Sequence, residues 1–252
     1  KHYGQLLNSL SQGKPDVMIS TVPGSSMLYR KENAPSGGWN DMSRYDVIST
    51  TERNDAYPLA IFGKNIGWIN DMRTERRQSM LDWFGRSQSI NRRDFFYYTP
   101  WPAHSDYAEP AVAMVNTPTS WRNRLGYDEA EHLDIVDYAE ANVAGRTRIW
   151  VIPGNAMMMR IYDDAEAGKV PGLANGAAFM ASSDWWSDNV HPQGLGSLAL
   201  AYLHMYVIHH IDPRGKPYSG FDLSPEPNAA QAAYIQNMIY DLVQRYPRSG
   251  VR

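Results

Sequence analysis

Arg148-Ile149-Trp150-Val151-Ile152-Pro153-Gly154-Asn155 decides the fold class. Five residues rich in β-branched and aromatic side chains read as a buried strand over 148–152. Pro153-Gly154-Asn155 breaks it, and the spacing predicts a helix from there to about Ala167. On the other side, Leu133, Ile135, Val136 and Tyr138 fall along one side of a helix over Glu129–Asn142, ended by Gly145. Helix, strand, helix in close succession is the signature of a parallel sheet with crossover helices.

The same alternation extends outward. Upstream, Tyr3–Gln12 reads as a helix, Asp16–Val22 as a strand ending in Pro23-Gly24-Ser25-Ser26, and Lys31–Asp41 as a polar surface loop. Tyr45–Thr51 is a strand closed by Glu52. Residues 60–72 are ambiguous, with glycines at 63 and 67, and Met80, Leu81 and Phe84 suggest a helix over Thr74–Phe84. Asp94–Thr99 is a strand ending at Pro100-Trp101-Pro102, and a long irregular stretch follows through Asn116. Downstream, the block Gly168–Ser183 leads to a helix over Leu195–His210, a loop rich in Pro and Gly, and a last helix over about Asn228–Tyr246. The expectation is one doubly wound, flavodoxin-like α/β domain over 1–252 with helices on both faces of a parallel sheet, the loop and helix of 213–252 packing on that same domain. In such a sheet chemistry sits beyond the carboxyl ends of the strands, where Gly24-Ser25-Ser26, Glu52, Thr99-Pro100-Trp101 and Asn155 fall.

Composition narrows the function classes. With 252 residues and 43% hydrophobic content the chain can bury a full core. A net charge of -3, from 24 basic and 27 acidic residues, gives no footprint for nucleic acid or an anionic membrane. Zero Cys removes disulfides, thiolate metal sites and a thiol nucleophile. No apolar run reaches the roughly 18 residues of a membrane span.

Ser187-Asp188-Asn189-Val190-His191-Pro192-Gln193-Gly194 places an acid three residues before an imidazole, just ahead of the apolar run Leu198–Leu203. Pro192 fits near the first turn of the helix that follows. An Asp so placed can fix the tautomer of His191 and stabilise its imidazolium, which a serine hydrolase asks of its base and orienting acid. The alternative is a helix cap followed by a surface histidine. His204, His209 and His210 share a helix, but adjacent histidines point about 100° apart, so a solvated helix end is the reading there rather than a metal site. Trp101, Trp185 and Trp186 either stack on sugar rings or fill a contact.

These features together resemble the SGNH (GDSL-type) hydrolase superfamily, whose closing block is D-x-x-H ahead of a C-terminal helix. The likeness is nearer to a bacterial SGNH-like group with strand ends similar to I-P-G-S-P-M, Y-D-V-L-V-L-T-E and Y-x-T-W, and D-D-I-H-x-N-x-x-G near the C-terminus. The corresponding pieces are Val22–Met27, Tyr45–Glu52, Tyr97–Trp101 and Ser187–Gly196; Trp121–Gly172 is also similar. The resemblance implies an ester hydrolase of acyl or acetyl groups, on carbohydrate or lipid, with no cofactor and no metal; the expected compartment is the periplasm or the exterior, with the cytoplasm as the alternative. It implies His191 as base, Asp188 as its partner and Gly24 as oxyanion donor, with Asn65 as a weak second donor. Glu52, Trp101 and Trp185 would line the cleft. The family's nucleophile lies on a first strand that would precede Lys1, so the domain is expected to lack that strand here. In an alternative register Ser26 is the nucleophile, and its structural counterpart is that Ser25 and Ser26 cap or turn the chain. The other function class is a catalytically degenerate hydrolase-like domain with protein partners, an accessory subunit of a larger assembly.

Overall fold

The computed structural model describes residues 5–6, 9, 17, 25–33, 38–52, 66–90, 94–104, 120–144 and 148–251. Among the described residues the fold is mixed α/β, with a three-stranded parallel sheet flanked by helices. The chain divides into two compact units. The first comprises Lys1–Val17, Ala103–Ser105 and Ile152–Arg252, the second Met18–Pro102 and Asp106–Val151.

The second unit holds the sheet. Its elements are α1 (Met27–Glu32), a 3-10 turn (Met42–Arg44), β1 (Val47–Thr51), α2 (Ile66–Ser89), β2 (Asp94–Tyr98), α3 (Trp121–Asn142) and β3 (Ile149–Ile152, whose last residue falls in the first unit). The strands lie in the order β1-β2-β3. β1 pairs with β2 in parallel, from Val47 opposite Asp94 to Thr51 opposite Tyr98. Parallel neighbours need a crossover, and α2 and α3 supply the two.

Both crossovers cover one face of the sheet, and strand parity shows it. Phe95 and Tyr97 are two residues apart on β2 and so point the same way. The Phe95 ring meets Phe84 of α2 at 5.5 Å, and the Tyr97 ring meets His132 of α3 at 5.7 Å. Two right-handed crossovers that advance in the same direction across a sheet must fall on the same side. Phe96, facing the other way, is also buried, so β2 is covered on both faces as parallel strands require.

The two crossover helices start earlier than their apolar spacing predicts. α2 begins at Ile66 rather than Thr74 and α3 at Trp121 rather than Glu129, behind a Ser120 cap whose hydroxyl accepts from the Asn123 N–H at 3.2 Å. Their facing surfaces carry ion pairs instead of an apolar stripe. Arg73 grips Glu131 and Arg77 grips Asp134, each through two nitrogens at 2.5–3.0 Å. α1 is not anticipated at all. Of the predicted strand over Asp16–Val22 only Val17 is described, and it is not in a strand; most of the predicted first helix also lies outside the described residues, while Gln5, Leu6 and Ser9 are helical.

The first unit is helical: α4 (Gly154–Glu166), α5 (Gly176–Met180), α6 (Gly194–His209) and α7 (Ala229–Arg245). α6 is buried along almost its whole length, from Leu195 to Val207, as a helix apolar on every side must be. α7 opens on a capping box in which Asn228 and Gln231 exchange backbone bonds at 3.0 Å. Residues 213–217 are tied to α7 by Gln236, whose amide accepts from the Gly215 N–H and donates to the Lys216 carbonyl and the Tyr202 hydroxyl.

Candidate functional site

Asp188 and His191 meet. His191 Nδ1 lies 2.7 Å from Asp188 Oδ2, while Asp188 Oδ1 accepts the backbone N–H groups of Val190 and His191, each at 2.7 Å. The carboxylate therefore organises the loop and holds the ring together, an Asx turn extended by one side-chain bond. The loop is closed below it: Trp186 and Pro192 form an antiparallel bridge, and the Ser187 N–H donates to the His191 carbonyl at 2.8 Å. Three donors facing one carboxylate favour its charged form, the His191 N–H first, then its ring and the Val190 N–H, and hold Asp188 down to about 2. The His191 side chain is 72% exposed and Asp188 49%. With Nδ1 engaged by the acid, Nε2 is the nitrogen left for chemistry.

The loop is seated on the first turn of α6. Gln193 is the N-cap, so Pro192 stands one residue before the helix-capping position rather than within the first turn. The Gln193 N–H donates to the Trp185 carbonyl and the Leu195 N–H to the Asp184 carbonyl, both at 2.9 Å. Glycine is needed twice here. Gly194 has φ +44° with the Asp184 carbonyl 2.6 Å from where a Cβ would stand, and a Cβ on Gly196 would lie 2.6 Å from the Trp185 carbonyl. Asp188 caps its own loop rather than α6. The segment after β2 reaches this loop as well, His104 donating its N–H to the Asn189 carbonyl at 2.9 Å and setting its ring edge-on to Trp186 at 5.4 Å.

In the second unit the structure brings Ser26 and Glu52 together at the start of α1. The Ser26 hydroxyl accepts from the Tyr29 N–H at 3.1 Å, the N-cap bond, and both Glu52 carboxylate oxygens stand 3.2 Å from the Met27 N–H. Glu52 is buried, with the Arg30 guanidinium donating to the carbonyl of Thr51 next to it. Trp101 and Trp185 are 7% and 2% exposed; Trp101 is edge-on to Tyr98, and Trp185 to Phe179. Trp186 is buried too, its indole N–H donating to the Phe179 carbonyl. Gly24 and Asn65 lie outside the described residues. His204, His209 and His210 gather no further ligands, and no group of three or more His, Asp or Glu suited to a metal ion occurs among the described residues. His204 instead turns its Nδ1 to the Leu200 carbonyl of its own helix.

A buried polar pair escaped the sequence reading. The Tyr97 hydroxyl lies 2.7 Å from His132 Nδ1. Pro100 has no N–H, so its backbone bond to His132 is a ring N–H donated to its carbonyl, which makes Nε2 the protonated nitrogen and Nδ1 the acceptor of the Tyr97 proton. Burial first, then the charges of Arg76 and Arg124, pushes His132 down to about 3. No spacing rule joins residues 35 apart on a strand and a helix.

Compared with known proteins, the chain matches no family model, no curated protein and no solved structure.

Proposed function

We propose that the chain is an SGNH-type ester hydrolase domain acting on acyl or acetyl esters, with His191 as general base and Asp188 as its orienting acid. The observation that carries the reading is the 2.7 Å contact of His191 Nδ1 with an Asp188 carboxylate held ionised by two backbone N–H groups, on an exposed loop. That arrangement fixes one tautomer, leaves the Nε2 lone pair to take a hydroxyl proton, and stabilises the imidazolium that results. Two further features support it. β1, β2 and β3 are neighbours in chain order, as successive strands are in one half of a flavodoxin-like sheet. Gly196, the closing glycine of the D-x-x-H block, stands where any side chain would strike the Trp185 carbonyl.

Within the chain this reading assigns Ser26 as nucleophile and Gly24 and Asn65 as oxyanion donors, with a carbohydrate ester among the candidate substrates. Export to the periplasm belongs to the same proposal. The test is hydrolysis of p-nitrophenyl acetate by the wild-type chain and by His191→Ala and Ser26→Ala. Turnover lost in both variants supports the assignment; turnover that survives His191→Ala ends it.

A second reading has its own observation. The Ser26 hydroxyl already serves as the N-cap of α1, and a serine so used is a structural residue. The domain is then a hydrolase-like accessory subunit that binds protein partners without turnover. Absence of esterase activity in the wild-type chain, with recovery in a stable complex from its native source, favours this reading.

A further inference from the structure

Asn175-Gly176 is the chain's one Asn-Gly dipeptide, the sequence in which an Asn side chain is most open to attack by the following backbone nitrogen, because glycine puts no side chain in the way. Asn175 is the N-cap of α5 in the first unit and Gly176 is that helix's first residue. Both partners in that reaction are restrained. The electrophilic side chain is held by a bond from the Ala178 N–H to Asn175 Oδ1 at 2.8 Å. The nucleophile is held by Glu166, the last residue of α4, whose Oε1 accepts the Gly176 N–H at 2.9 Å.

We infer that Asn175 is a site of spontaneous deamidation and that Glu166 is the latch that keeps it closed. The chemistry requires the Gly176 nitrogen to give up its proton to hydroxide and attack Asn175 Cγ. A C–N bond forms, the Cγ–Nδ2 bond breaks and the departing amine takes a proton from water to leave as ammonia, regenerating hydroxide; water then opens the cyclic imide to aspartate or isoaspartate. Glu166 opposes the first step twice. It occupies the N–H that must be lost, and it sets a carboxylate beside the nitrogen that must become negative. The dipeptide is also hard to avoid by changing its second residue, since a Cβ on Gly176 would stand 2.5 Å from two ring carbons of Tyr162 and 2.8 Å from Glu166 Oε1. The products differ in consequence. Aspartate still caps the turn as asparagine does, whereas isoaspartate lengthens the backbone by one carbon and dissolves the cap.

The test is ageing of the full chain in mildly alkaline buffer, with peptide mapping that separates intact Asn175 from the aspartyl and isoaspartyl products at that position. A synthetic peptide spanning Pro171–Ala181 gives the unrestrained rate, and wild type is expected to deamidate about tenfold to a hundredfold more slowly, the worth of one charge-assisted hydrogen bond. Glu166→Ala, shown folded by its near-ultraviolet circular dichroism, is expected to recover most of that difference, and Glu166→Gln, which keeps an acceptor without the charge, only part of it. Should Glu166→Ala fail to fold, the Glu166→Gln rate decides alone. Wild type reacting as fast as the peptide, or latch variants no faster than wild type, overturns the inference.

Discussion

Acidifying the protein from about pH 7 to about pH 4.5 should charge His132 in the unfolded chain but not in the folded one. In the native state the ring is 4% exposed, faces Arg76 and Arg124, and accepts the Tyr97 proton, so its pKa falls from 6.5 to about 3. Between those values the unfolded state binds one more proton than the folded state, so stability rises with pH and is lost as pH falls through the window from 6.5 toward 3. Each pH unit inside the window costs about 1.4 kcal/mol, and the step to pH 4.5 therefore costs about 2.5 kcal/mol from this residue. His204 and His209, also lowered by burial, add to the same trend. The contribution of His132 is isolated by differencing. Urea unfolding of wild type and His132→Gln, followed by Trp fluorescence at closely spaced pH values, should give a wild-type stability that falls more steeply by about 1.4 kcal/mol per pH unit. Gln keeps a side-chain acceptor for Tyr97 while removing the titration. Parallel curves for the two proteins would refute the reasoning, whatever their absolute stabilities.

Gly196→Ala gains helix propensity worth about 1 kcal/mol but drives a methyl into the Trp185 carbonyl, an overpacking cost of about 1–3 kcal/mol; a net loss measured by urea unfolding, with altered Trp fluorescence, is expected. Asn228→Ala removes the half of the α7 capping box in which its side chain accepts the Gln231 N–H, while the backbone N–H of residue 228 can still donate to Gln231, and a loss of about 1 kcal/mol with faster amide exchange in the first turn should follow. Because Asp188 is lowered to about 2, the bonds it accepts are complete above its ordinary value of 3.8 and are lost as pH falls through about 2, which carboxylate carbon chemical shifts will report as a late titration. In the hydrolase reading, Asp188→Asn keeps the loop shape and drops turnover by about a thousandfold or more, through the wrong tautomer of His191.

What the sequence made legible follows from how local each cause is. β2 and the β3–α4 unit were readable because Asp94–Tyr98 and Ile149–Asn155 carry their own apolar runs and breakers, and the structure places them within a residue of expectation. The first halves of α2 and α3 were not, because Gly67, Asn70 and Asp71 interrupt the apolar residues of the one and Arg122, Asn123, Arg124 and Asp128, the last two of them buried, interrupt Trp121 and Leu125 in the other, so no unbroken 3.6-residue apolar period marks either start. α1 is only six residues long and depends on Ser26 and Glu52 for its first turn, the second of these 25 residues from the N–H it holds. The same contrast runs through the candidate site. Asp188 and His191 sit three apart in one tight loop, and their contact is written in that spacing. Glu52 with Met27, and Tyr97 with His132, depend on elements packing together, which single-chain spacing does not encode.

The most direct test of the hydrolase proposal is p-nitrophenyl acetate turnover by the purified wild-type chain beside His191→Ala of unchanged circular dichroism. Turnover is expected in the first and its loss in the second; equal rates in the two would contradict the proposal.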